Sequence, residues 1–287
     1  MAVCPIHEPF IALALIGALL LPAASGAEEE REQRAPHILW SAGMETGDLS
    51  EWSEEVNTGD ADSSAVRAAT EGIPPRRGEW LLKQSVTGIA GGTRLARYPE
   101  VAALAQEGKA FYVSWWDYFP ARISFASTDF FTTFDVLSRD ADGLAQPVWG
   151  LFFQPTDFSL LLVWSPNGLA PAEGPHAGES GPKVYFSTTP VPVGEWIFFE
   201  VRIKPAADFS GALKVWMNGE RLFHLTDVKT RFPDIGLGGF MWLNHAAYGS
   251  GLSPLPATHY LDDVTISRRR LHHRHHRWRD EDDADDD

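Results

Sequence analysis

The chain has 287 residues, 44% of them hydrophobic, with 11 Trp and 17 Phe, which is enough for a large core and disfavours global disorder. A net charge of −15, carried mostly by the body, weighs against nucleic acid or an anionic membrane as partner, and a polyanion would need a local basic patch. The one cysteine, Cys4, lies in a segment expected to be removed, so the mature chain is expected to have neither disulfide nor thiol chemistry.

Residues 11–21 form an apolar run of signal-peptide length, too short to span a bilayer, and Ser25-Gly26-Ala27 supplies small residues for cleavage. Residues 1–27 are therefore expected to be a signal peptide and 28–36 a flexible charged leader. Localisation is expected to be secreted, periplasmic or cell-surface, with no integral membrane segment left after cleavage. A domain over 37–267 opens at Ile38-Leu39-Trp40. Residues 56–75 are polar and broken by Gly59-Asp60 and Pro74-Pro75, which predicts strand-poor loop. Residues 80–84 predict a strand, and 100–108 one short helix ended by Gly108.

Residues 111–119 alternate with aromatic side chains on both faces and stop at Pro120, which predicts a strand whose second face lines a groove. Trp116 and Tyr118 on that face are candidate platforms for sugar rings; the alternative is packing beneath a loop or helix. Further strands are expected over 130–136, 148–154, 159–164 and 183–187, with a long Gly/Pro-rich loop around His176 before the last. In 195–222 a period of two is followed by a polar connection, a second apolar run and Asn218-Gly219, a two-residue hairpin signal. Residues 236–248 open with glycines and continue as a strand, with Trp242 and Asn244 opposite Leu243 and His245. Residues 268–287, an Arg/His block followed by an acidic block, predict a solvated tail whose histidines could bind a transition metal and whose arginines could grip an acidic glycan.

Gly194-x-Trp196, the alternating strand after it, and Gly211-x-Leu213-x-Val215-Trp216-x-Asn218-Gly219 resemble the concanavalin A-like lectin/glucanase superfamily. Within it they are most similar to secreted polysaccharide lyase-like proteins of the heparin lyase I and glucuronan lyase type. The resemblance runs from about residue 39 to 267 and implies an all-β jelly-roll sandwich of two antiparallel sheets, with a polysaccharide as partner. It also implies a structural Ca²⁺ held by Glu45 near the start against Asp262 or Asp263 in Tyr260-Leu261-Asp262-Asp263-Val264, all hard oxygen donors. The plainer reading is a turn at Gly47-Asp48 and two aspartates ending an edge strand. No organic cofactor is expected.

There is no Gly-x-Ser-x-Gly elbow, no phosphate-binding glycine loop, no His-Glu-x-x-His and no strand bearing the paired carboxylates of a retaining glycosidase. A lyase needs a base for the proton α to a uronate carboxylate and a cationic or amide group on that carboxylate. The resembling lyases carry a functional Tyr on a C-terminal concave strand. His245 and Tyr248 are the candidates for base and acid, with Arg202 and Gln84 on the carboxylate. Trp116, Tyr118, Trp242, Gln154 and Asn244 are the candidates for binding the chain. The sequence thus predicts a polysaccharide-binding jelly roll without turnover, with a β-eliminating lyase and a cell-surface protein-interaction domain as the alternatives.

Overall fold

The computed structural model describes residues 37–139, 145–164, 183–232 and 241–271, with backbone alone at 145 and 241–243. The expected signal peptide and leader, the loop around His176, the tail beyond Leu271 and the side chain of Trp242 lie outside this set. In chain order the strands are β1 (Ile38–Ala42), β2 (Glu54–Arg67), β3 (Trp80–Arg97), β4 (Phe111–Tyr118), β5 (Phe131–Arg139), β6 (Ala145–Phe153) and β7 (Ser159–Trp164). They continue with β8 (Lys183–Pro190), β9 (Trp196–Lys204), β10 (Gly211–Met217), β11 (Glu220–Val228), β12 (Met241–Ser250) and β13 (Ala257–Ser267). Two short helices interrupt them, α1 (Ala68–Glu71) and α2 (Pro99–Glu107).

Every pairing among these strands is antiparallel, and two layers follow from the registers. Sheet A runs β11-β10-β9-β4-β13 and ends on the first half of β3, where Ala257–Leu261 of β13 meets Leu82–Val86. Sheet B runs β8-β7-β6-β5-β12 and ends on the second half of the same strand, where β12 pairs with residues 90–97. Strand β2 follows β3 along both halves, so the β2–β3 hairpin crosses from one layer to the other, with a register shift at Gly59/Ala61. This is the all-β, two-sheet jelly roll that the sequence implies.

The layers close on an aromatic core because one parity of nearly every strand is apolar. Trp115 of β4 is fully buried, stacked on Phe134 at 4.8 Å and on Phe199 at 5.4 Å. A smaller cluster of Ala68, Ile73, Leu81, Tyr118 and Tyr260 lies on the outer side of sheet A beneath α1. Asn218 and Gly219, at φ 50° and 87°, make the two-residue turn that joins β10 to β11 as expected. Helix α2 begins with proline at its first turn, buries Val101, Leu104 and Ala105, and ends on Gly108 in the left-handed region.

Two expectations need correction. The segment predicted as strand-poor loop is a 14-residue strand, β2. It is an outer strand with its first half exposed on both faces, so its ladder hydrogen bonds hold it without the apolar alternation that marks a half-buried strand. The second helix, α1, occupies a single turn after it. Among the described residues no helix is long and apolar enough to cross a membrane.

Candidate functional site

The residues expected to act together are dealt to three different places. His245 points into the core, between Trp52, Trp115 and Phe134, with neither ring nitrogen hydrogen-bonded. Burial, and then the charge of His259, push its pKa down to about 3. A ring sealed among aromatics cannot reach a substrate proton, which removes it as the base. Gln84 is also inside, its amide donating to Ser63 Oγ at 3.1 Å and to the His245 carbonyl at 3.2 Å. Nearby, His259 Nδ1 and Asp117 Oδ1 pair at 2.8 Å, both fully buried, so the core's titratable groups serve the interior.

Arg202 lies on the outer face of sheet A, opposite Tyr112 and Lys214, and is 8% exposed. Part of that face is met by residues 270 and 271. Arg270 reaches Glu200 at 2.6 Å, the Leu271 amide donates to the same carboxylate at 2.9 Å, and the Arg270 guanidinium stacks 4.3 Å from the Trp216 ring. Tyr118 is buried in the cluster beneath α1, so the packing alternative holds for it. Gln154 spends its amide on Ser159 Oγ and on the Ser187 carbonyl at 2.9 Å, tying the β6–β7 turn to β8.

Trp116 faces a cavity of about 770 Å³ on the outer side of sheet A, with Phe198 beside it and the Arg76 guanidinium 4.1 Å above its ring. Glu45, Asp262 and Asp263 line the same cavity. Glu45 accepts the amides of Glu79 and Trp80, and Asp262 those of Arg77 and Asp263. Burial and the charges of Asp263 and Glu45 push Asp262 up to about 7. These carboxylates share a wall; backbone amides hold Glu45 and Asp262, Asp263 faces Arg77 at 4.0 Å, and among the described residues no three acidic, His or Cys side chains gather as a metal site. As placed, they do not present the many-oxygen cage that Ca²⁺ takes. Among the described residues no tyrosine, histidine or lysine lines the cavity.

The outer face of sheet B is different. Tyr248 of β12 pairs with Gly92 of β3, and its ring lies so close over Gly92 that a Cβ there would meet Tyr248 Cδ2 at 2.1 Å. Two residues along β3 on the same face, Arg94 holds its guanidinium 4.4 Å from the centre of the Tyr248 ring. Arg94 Nε is 3.6 Å from Asp135 Oδ2, and Asn244 Nδ2 donates to Asp135 Oδ1 at 2.7 Å. Burial pushes the Asp135 carboxyl up, against the Arg94 charge and the Asn244 hydrogen bond, which pull it down. Tyr248 is half-buried and Arg94 keeps 27% of its side chain exposed, so both can meet a ligand. Tyr248 and Asn244 stand on this face with Arg94 and Asp135, which the sequence does not single out.

The outer face of sheet B thus holds a half-buried tyrosine and a partly exposed guanidinium, with the Asn244 carboxamide buried beside them. The polysaccharide lyase family model matches residues 44–242, more than half of the chain. The chain belongs to the polysaccharide lyase family. Among solved structures it is similar to an endo-beta-1,4-glucuronan lyase from the fungus Trichoderma reesei, at TM-score 0.55 and 12% identity, covering 80% of this chain and 95% of that one. It is also similar to an alginate lyase from a Chlorella virus, at TM-score 0.53 and 13% identity, covering 81% and 100%. At such identity these two likenesses bear on the fold alone. No curated protein sequence matches the chain.

Proposed function

We propose that this protein cleaves a uronate-containing polysaccharide by β-elimination on the outer face of sheet B. The observation that carries the reading is the stacking of Arg94 on Tyr248 at 4.4 Å, beside Asn244, on an accessible face. In this mechanism the uronate carboxylate sits against the Arg94 guanidinium, which stabilises the negative charge that develops on it, while the buried Asn244 amide holds Asp135 in place. The Tyr248 phenolate takes the proton α to the carboxylate and becomes a phenol, the bond from the β carbon to the glycosidic oxygen breaks, and a double bond forms between the α and β carbons. A phenol both donates and accepts, so the same group can return the proton to the leaving oxygen. Asp135 is a positioning residue: it holds Arg94 and Asn244 and touches no substrate atom. Action outside the cytoplasm goes with this reading, through the expected signal peptide at 1–27.

Incubation of the mature protein with glucuronan, alginate and other polyuronates tests it directly. Rising ultraviolet absorbance of the unsaturated product is expected, and it should vanish in Tyr248→Phe. Binding without turnover is the second reading, favoured by the fact that Arg94 already has Asp135 and the Tyr248 ring as neighbours and needs no rearrangement to act as a static clamp. Retarded migration in glycan-containing gels with no absorbance change would select it. Absence of both would leave a protein-interaction role.

A further inference from the structure

The outer face of sheet B carries an apolar row that starts at Tyr248 and leaves the reacting cluster at right angles to the strands. Tyr248 meets Phe130 at 5.0 Å, and Phe130 meets Phe152 of β6 at 6.3 Å. Phe152 lies opposite Leu161 of β7, and Leu161 opposite Phe186 of β8. The Phe152 ring leans over Gly150, where a Cβ would meet Phe152 Cε2 at 3.1 Å and Asp135 Cβ at 3.2 Å, so the row passes beside the acid that holds Arg94. At its far end Phe186 is 65% exposed and its neighbour Val184 41%, although the partners of the same strand on the other parity face the core. From β12 to β8 there are four inter-strand steps, roughly 19 Å at the usual strand spacing, the length of several sugar rings.

We infer that Phe186 is a remote sugar-stacking subsite, so that the substrate is a long polyuronate laid across β12, β5, β6, β7 and β8. This rests on the β-elimination reading and deepens it. A contiguous apolar row that ends in an exposed phenyl ring is the kind of surface that marks a ligand site, and a pyranose ring offers an apolar face of matching size. The occupant is a glycan because the row is continuous with the Arg94–Tyr248 cluster, where a cation stands ready for the carboxylate of the reacting sugar.

The test compares wild type, Phe186→Ala and Phe186→Tyr on glucuronan and alginate polymers and on a ladder of short oligouronates. Phe186→Ala is expected to raise KM, or the dissociation constant if the protein binds without turnover, about tenfold on polymer. It should leave kcat and the values for the shortest substrates unchanged, and Phe186→Tyr should restore the wild-type value. Equal behaviour of Phe186→Ala and wild type on polymer, or equal loss on long and short substrates, would overturn the subsite while leaving the cluster intact. So would a KM unchanged by a variant that loses self-association in size-exclusion chromatography, which would make Phe186 a contact between copies. A wild type that neither cleaves nor binds any polyuronate would overturn the elimination reading and this one with it.

Discussion

The two outer faces of the sandwich are built from the same materials and come to opposite ends. Sheet A presents Trp116, Phe198, Trp216, Glu200 and Arg202; sheet B presents Tyr248, Phe152, Arg94, Asp135 and Asn244. On sheet A Tyr118 is covered by α1, and Glu200 and Trp216 are met by Arg270 and Leu271, which leaves Trp116 and Phe198 on the cavity. On sheet B the guanidinium and the phenol stay within reach of a ligand. Alternation and aromatic content therefore say that a face exists, and what covers it decides whether the face stabilises the fold or does chemistry.

The largest expected effect is on sheet B, where Tyr248→Phe should lower kcat on a cleaved polyuronate by roughly 10²–10⁴-fold, the usual contribution of a positioned acid–base group. Its urea midpoint should stay near wild type, since the removed hydroxyl has no partner among the described residues. Next is the opposite case on sheet A: Glu200→Ala strips the buried carboxylate that Arg270 reaches at 2.6 Å. It should cost about 3 kcal/mol in equilibrium urea unfolding with kcat unchanged. Loss of kcat there would mean that the covered face takes part in the reaction.

A smaller effect separates the core from both faces. The folded-state pKa of His245 is depressed to about 3, so the unfolded chain binds more protons between there and the ordinary value. Stability from this group is present above the unfolded pKa and falls as pH drops through the window, by on the order of 3 kcal/mol at pH 4. His245→Phe should flatten that slope in urea titrations at several pH values and keep full kcat. The smallest effect belongs to the carboxylate wall of the cavity. Asp262 is raised to about 7, so it loses stability for the fold as pH climbs from the ordinary carboxylate range through that value. Asp262→Asn loses the acceptor for one of the Arg77 and Asp263 amides, so of the roughly 4 kcal/mol that the shift represents at pH 8 it should recover only about 1 kcal/mol. A Ca²⁺-dependent rise in Tm in wild type and not in Asp262→Asn would be the mark of a structural calcium at this wall.

Much of the fold was legible because a period of two survives wherever one face is buried. The strand expected at 159–164 and the turn at Asn218-Gly219 stand where the sequence puts them. Strand β2 was illegible because water meets both faces of its first half, and β3 was cut short at residue 84 because glycines dilute its second half. That truncation hid Arg94. The assignment of His245 and Tyr248 to one site contained its own refutation: residues three apart on a regular strand point to opposite faces. Read by parity, Asn244 groups with Tyr248 and His245 with the core, as the unbroken register of β12 on β3 confirms. The meeting of Glu200 and Trp216 with Arg270 and Leu271 is a contact between distant parts of the chain, and no local pattern encodes it.

Strand β3 starts in one layer and finishes in the other, so the arm that carries Arg94 is rooted in the opposite wall through Leu82 and Val86. The two walls are thereby spliced, and neither can loosen while its counterpart stays whole. A proteolytic nick or an inserted residue at the elbow around Thr87 to Ala90 should let the guanidinium drift from the phenol and slacken the sandwich in the same event.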